Sequence, residues 1–434
     1  MSAPPVAVVG GSLAGMAAAA RLAKAGHRVL LFEAADTLGG RWARPGALPP
    51  VFTLPAPWRD LFRKSGRPFD TELARTGHAL VPAPAATHHF TDGSNLQLPT
   101  DRGEQWTVLS RAWGTAAAAR WRDLLDDLDG RWQVLRRLGL EDEFTDAALT
   151  RERRNTLGLG RSIADLASAF RQPQAAELIR STAWRIGSDP TTTPEFVAVR
   201  LALERTFGRW QLIRDGIPVP AGDLIDLLAA RLVLRGVEVR TGEPVRAVAP
   251  GSVRTADDTV AVAATVVAVN PWEFLRLTYP GEGRLRRRTR WTRPALAPVI
   301  TVLPRTVAQE MGFATAVGGE THPVLPAQTE EQVHHARDGV RIRYDLPAVT
   351  ISHDFGAGRA QPSPGFGTRW TSPRTWLREP PLRADTAKVY TASASSRGGN
   401  DPWAQLLSGA LVTYVVHERL TGADIRPTNK ALKN

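Results

Sequence analysis

The residues best placed to do chemistry lie near the N-terminus, where Gly10-Gly11-Ser12-Leu13-Ala14-Gly15 follows the apolar run Val-Ala-Val-Val at 6–9. A second apolar run ends at Glu33, with Ala34 behind it, and residues 16–25 between the two read as a helix stopped by Gly26. A strand, a glycine turn, a helix and a second strand ending in an acid together grip the adenosine diphosphate half of a dinucleotide. Gly10 permits the tight turn, and Gly15 lets the helix approach the strand. The amides at the helix start, aided by the helix dipole, hold the pyrophosphate. Glu33 is placed to accept hydrogen bonds from the ribose hydroxyls. The usual second glycine is Ser12, whose Cβ crowds the pyrophosphate and whose hydroxyl can donate a compensating bond. The same letters lie one residue from a G-x-S-x-G nucleophile elbow. That elbow needs earlier strands to build its sheet, and there is no room for them before Gly10. An NAD-binding dehydrogenase half is the stronger rival.

The residues after Glu33 separate NAD from FAD. The stretch Glu33-Ala34-Ala35-Asp36-Thr37-Leu38-Gly39-Gly40-Arg41-Trp42 resembles the extended fingerprint of the flavin amine oxidase and phytoene desaturase superfamily. The resemblance implies FAD as cofactor, with Gly40 and Arg41 approaching its flavin side. It continues in patches at 58–66, 90–98 and 210–224. It implies that Val245 presents its backbone to the adenine, although an apolar residue there equally suits a strand core. Near the end, residues 388–409 are similar to the desaturase closing motif, in which a strand feeds a turn containing Ser395 and then a helix under the flavin. Three departures fall at the redox end: Ser393 and Asn400 stand where glycines are usual, and Pro-Gly-Ala-Leu-Pro-Pro at 45–50 replaces an aromatic segment.

The fold implied is α/β: a discontinuous, glutathione-reductase-like FAD-binding domain of Rossmann type from 1–65, 208–272 and 384–434. An α+β substrate domain from 66–207 and 273–383 completes it, with a helical lid at about 105–205. The function implied is an FAD-dependent oxidoreductase that removes hydride from a small apolar or amine-type substrate and passes electrons to oxygen or a quinone. The alternatives are a non-catalytic binding or scaffold protein on the same fold, and an aromatic monooxygenase, many of which carry a similar Gly-Gly-Ser-Leu-Ala-Gly turn. The chain contains one dinucleotide fingerprint, so no separate NAD(P)H site is expected.

Composition bounds these readings. With 434 residues, 43% hydrophobic and 23% charged, the chain has the make-up of a globular protein with ample core. Its most apolar stretch, 260–269, is too short for a membrane span and ends at Asn270-Pro271. No cysteine is present, which excludes disulfides, thiolate nucleophiles, iron–sulfur clusters and cysteinyl flavin links. The net charge of +12 comes from 50 Arg and 5 Lys, and no nucleic-acid partner is expected. A cytoplasmic location is expected. The arginine-dense stretch 284–293 is either a solvated face or a peripheral membrane contact with Leu285 and Trp291 as insertion points. No metal site is expected, since adjacent histidines at 88–89 and 334–335 do not converge two rings. His353-Asp354 has the form of a base with its orienter, as many chance dipeptides do. Leu124, Leu128, Trp132, Leu135 and Leu138 recur at helical spacing. Asp401 as cap, Pro402 at the first turn and Gly422 at the end delimit a last helix.

Overall fold

A computed structural model describes residues 3–278, 282–305, 329–335, 339–356 and 358–427. The strands Val6–Val9, Val29–Phe32 and Ala264–Val267 are buried at every position, as the interior of a parallel sheet covered on both faces requires. They form the middle of a five-stranded sheet in which Val389–Thr391 pairs with Ala264–Val267 at one edge and Glu238–Arg240 pairs with Val29–Phe32 at the other, all parallel. Val6, Val8, Val29 and Leu31 face the first helix, Leu13–Lys24, and the C-terminal helix, Pro402–Thr421. Ala7, Val9, Leu30 and Phe32 face a layer containing Val245, Val253 and Phe274. The two helices touch so closely that a Cβ at Gly409 would lie 2.8 Å from the Ala14 carbonyl oxygen.

A second sheet of six strands runs Val299–Pro304, Val349–Asp354, Gly339–Asp345, Thr329–His335, Ala86–His89, Asn95–Leu98 in spatial order. The last two form a hairpin around Asp92-Gly93, and Ala86–His89 joins Thr329–His335 in parallel. The region that reads as helical contains Arg102–Trp113, Thr115–Leu135 and four further α-helices. Its five apolar residues at helical spacing are all buried in one core. A smaller sheet joins Val51–Thr53, Arg209–Arg214 and His78–Pro82, and so draws on both sides of the expected boundary at 65–66.

The arginine-dense stretch differs from one of its expected roles. Leu285, on the short helix Gly283–Thr289, is 1% exposed and packs in the core containing Phe274 and Leu277, so it cannot enter a membrane. Arg288 donates to the carbonyls of Leu377 and Glu379, and Arg284 pairs with Asp385. Trp291 is 50% exposed. Among the described residues no helix is long and apolar enough to cross a membrane.

Three histidines lie inside the six-stranded sheet. His88 Nδ1 is 3.1 Å from His334 Nε2, and both rings stack on Phe90. Burial, with Arg185 adding to it, pulls the His334 pKa down to about 4, and burial pulls His353 down to about 4. Burial and His334 hold His88 well below the usual histidine range. These groups bind more protons unfolded than folded, so their contribution to stability is complete above pH ~6.5 and is lost as pH falls towards 4. The denaturant midpoint is therefore expected to fall between pH 6.5 and 4, and a His334→Asn variant to show a shallower slope. A wild-type midpoint flat across that window would contradict the burial of neutral imidazoles.

Candidate functional site

The glycine turn is sterically over-determined. Gly10 has φ +105°, a conformation that favours glycine, and a Cβ at Gly15 would sit 2.1 Å from the Gly10 carbonyl oxygen. Ser12 caps the first helix: its Oγ accepts from the Gly15 amide at 3.4 Å and donates to the Ala268 carbonyl at 2.8 Å. The hydroxyl proton expected to face a pyrophosphate is thus committed to the end of the neighbouring strand, because that carbonyl lies within its reach. The first turn, which begins at Leu13 and Ala14, carries no acidic residue, so the positive end of the helix is not neutralised.

Glu33 reaches back to this turn. Its Oε2 accepts from the Gly11 amide at 2.5 Å and its Oε1 from the Ala35 amide at 2.9 Å. Each oxygen keeps a further lone pair, and Ala34 beside it is exposed. The Val245 side chain belongs to the same core cluster as Val9 and Phe32. The loop with Gly39 and Gly40 closes over the turn: the Gly39 amide donates to Gly11 O at 2.7 Å. A Cβ at Gly40 would be 3.5 Å from Ser12 Cα.

Arg41 carries the site to its other end. Its guanidinium is inserted between the Trp42 and Phe366 rings, 3.7 and 4.1 Å from their centroids. It donates to Phe366 O at 2.8 Å and to Asn400 O at 2.6 Å. Among the described residues it has no carboxylate within ion-pair distance, and burial pulls its pKa down to about 9, opposed only by Asp401. Two buried polar atoms here have no partner, Arg41 Nε and Trp42 Nε1, and neither has Ser395 Oγ in the turn before the last helix. Asn400 Nδ2 donates to Ile186 O and Phe366 O, so the residue in place of a glycine ties the turn to the chain after the helix Pro173–Trp184 and to the strand Gln361–Trp370. Asp401 stands at the head of the last helix without capping it; Arg200 takes its carboxylate at 2.5 Å.

Gly40, Arg41 and Trp42 on one side and Asn400 to Trp403 on the other bound a cavity of about 430 Å³, a size that suits a small molecule. Its far wall is charged. Arg185 Nη1 meets Glu204 Oε1 at 3.0 Å, Arg209 bridges Glu204 and Glu330, and Gln332 donates to Glu330 at 2.7 Å. Burial disfavours the Glu204 carboxylate, but Arg185 and Arg209 outweigh it and hold its pKa below the ordinary value. Tyr344 and His353 complete the wall. His353 Nε2 lies 2.7 Å from the Gly46 carbonyl oxygen. Asp354 is not its orienter: that carboxylate receives Arg341 at 3.0 Å and Arg359 at 2.5 Å.

Turn, helix start, Glu33, Gly39 and Gly40 therefore converge, Arg41 reaches away from them to Phe366 and Asn400, and Ser395 does not line the cavity. Those residues fit the two ends of a dinucleotide: glycines leave no Cβ at the turn, the helix end is unneutralised, and unpartnered donors remain beside the cavity. Sequence reasoning missed Arg185, Glu204, Arg209, Glu330 and Tyr344. A signal did exist in Thr329–His335, where Glu330, Gln332 and His334 alternate inward, a polar face turned to the interior.

Residues 8–64 match the family of NAD(P)-binding Rossmann-like domains. The chain is 31% identical over 243 residues to the hydroxyneurosporene desaturase of Rhodobacter capsulatus, covering 52% of this chain and 48% of that protein. It spans about half the length, or less, of the curated relatives it matches. In fold it is similar to putrescine oxidase bound to putrescine, with TM-score 0.59 and 14% identity over 97% of this chain and 100% of that one. It is likewise similar to cyclohexylamine oxidase from Brevibacterium oxydans, with TM-score 0.58 and 14% identity over 96% and 100% of the two chains. In its nucleotide-binding sequence the chain is thus similar to carotenoid desaturases, and in its fold to amine oxidases.

Proposed function

We propose that the chain is an FAD-dependent oxidoreductase of the desaturase or amine-oxidase kind, acting on a small molecule held in the cavity beside Arg41. FAD, when bound, supplies the hydride acceptor. The chain's own residues do the rest. The turn from Gly10 to Gly15 and the open end of the first helix hold the pyrophosphate, and Glu33 receives the ribose hydroxyls. Gly40 lets the loop lie close to the cofactor. Arg41 supplies fixed positive charge where negative charge develops at the redox end, and Trp42 Nε1 and Ser395 Oγ offer unpartnered polar atoms there. The cavity walls position the substrate and exclude water.

The observation that carries this reading is Arg41: a half-buried cation lining the cavity, clamped by carbonyls from two distant segments and, among the described residues, without a carboxylate in ion-pair distance. Such a charge is costly to bury unless an anionic partner arrives. The ion-paired walls favour a small polar substrate, amine-type included, over a long polyene. Electrons pass to oxygen or a quinone, in keeping with the single dinucleotide fingerprint.

Purified protein is expected to be yellow and to release FAD on denaturation; colourless protein that takes up no added FAD would overturn the reading. Flavin that binds but resists photoreduction would favour a non-catalytic scaffold. Glu33→Ala is expected to weaken FAD binding by about 1–3 kcal/mol, checked by titration of the apoprotein. Arg41→Met is expected to lower the flavin midpoint potential by about 30 mV, corresponding to roughly 1.4 kcal/mol of lost stabilisation. Spectroelectrochemistry reads this directly, and an unchanged potential would place Arg41 away from the ring.

A further inference from the structure

We propose that Nδ1 of His353 is the proton acceptor for a substrate bearing an O–H or N–H on the carbon that gives up hydride. The cavity then takes alcohol or amine carbon centres and not plain hydrocarbon. This rests on the reading of the site as that of an FAD-dependent oxidoreductase.

The tautomer is fixed by geometry. Nε2 of His353 lies 2.7 Å from the Gly46 carbonyl oxygen. A carbonyl only accepts, so Nε2 carries the hydrogen and Nδ1 of the neutral ring is a bare acceptor. Among the described residues Nδ1 has no protein hydrogen-bond partner, and His353 lines the cavity. The anchor is rigid. Gly46 has φ +70°, and a Cβ there would meet Val302 Cγ2 at 2.7 Å and Ile351 Cγ2 at 3.2 Å. No side chain fits between those two strands, so the carbonyl stays where it meets the ring. Gly46 also lies in the segment 45–50, where the sequence leaves the pattern of the family it resembles.

The surroundings keep the ring neutral. Tyr344 and Phe355 meet it edge-on with centroids 5.6 and 6.4 Å away. Burial lowers its basicity most, with Arg41 acting in the same direction, while the Gly46 bond and Glu330 oppose them. Unprotonated at neutral pH, the ring is free to receive a proton.

The chemistry selects the substrate. As C=O or C=N forms, the substrate loses two electrons and two hydrogens. One hydrogen leaves with the electron pair as hydride to FAD, the oxidant; the other leaves oxygen or nitrogen as a proton bound to Nδ1. A weakly basic neutral imidazole accepts from O–H or N–H but cannot deprotonate an unactivated carbon. Negative charge delivered with the hydride then makes the imidazolium easier to form.

The test uses the full chain with its FAD content determined. Nitrogen-15 NMR of histidine-labelled protein is expected to show the His353 ring protonated at Nε2 and bare at Nδ1, and to shift with benzyl alcohol but not with toluene. Calorimetry is expected to give benzyl alcohol about tenfold tighter binding than toluene, a difference of one hydrogen bond. His353→Gln retains a donor for the Gly46 carbonyl while removing the second nitrogen, and is expected to bring the ratio to about one. A proton on Nδ1, equal affinities in the wild type, a ratio retained in His353→Gln, or no binding of either probe would each overturn the proposal. The NMR result stands even if the variant does not fold. Protein that never holds FAD would sink the oxidoreductase reading and the redox half of this proposal. FAD-loaded protein that fails the His353 arms would sink this proposal alone.

Discussion

The Arg41 guanidinium holds together segments that the chain keeps far apart. It leaves the loop that closes over the first glycine turn, passes between two aromatic faces, and ends on carbonyls from Gln361–Trp370 and from the turn before the last helix. Carbonyl bonds and ring faces offset part of the desolvation of the guanidinium. Burial still lowers its pKa, with only Asp401 opposing. Asn400 ties the same turn to Ile186 and Phe366, so the carbonyls that receive Arg41 are themselves fixed.

The opposite wall obeys another rule. Its charges alternate along Arg185, Glu204, Arg209 and Glu330, and each is within reach of an opposite one. A paired row of this kind has little net field, yet it presents directional donors and acceptors to whatever enters. It therefore discriminates by hydrogen bonding and leaves the net positive field to Arg41. A long apolar chain would bury those groups without replacing the water they lose, which is costly. The polarity of the wall and the acceptor on His353 thus support the same proposed kind of substrate.

Much of the nucleotide-binding half is legible in the sequence, because its signals are local. Glycines required by sterics, apolar runs buried on both faces and an acid at a strand end all lie within the first forty residues. The second sheet is not legible in the same way. It joins 86–98 to strands within 299–304, 329–335 and 339–354, and nothing local specifies partners so distant. Cavity-lining arginines are hidden by their number, since nothing in a run of sequence separates Arg185 or Arg209 from the many on the surface. Leu285 reads as an insertion point because flanking arginines mask a residue that turns inward. His353 stands out in the sequence for its neighbour Asp354, yet successive strand residues point to opposite faces. Its actual orienter, a backbone carbonyl, has no signature in residue type.

Asp401 shows how a local rule yields to the site. As an N-cap it would place a carboxylate at the positive end of the last helix and reduce its field. Its side chain instead leaves the helix amides and pairs with Arg200, whose guanidinium lies over Trp403. That pair offsets part of the acid's charge, and the helix amides keep their partial positive charge. Arg41 still feels Asp401, which opposes the lowering of its pKa. Arg41 and the helix end therefore act in the same direction on the cavity that both line, tempered by one acid that is already shared with Arg200.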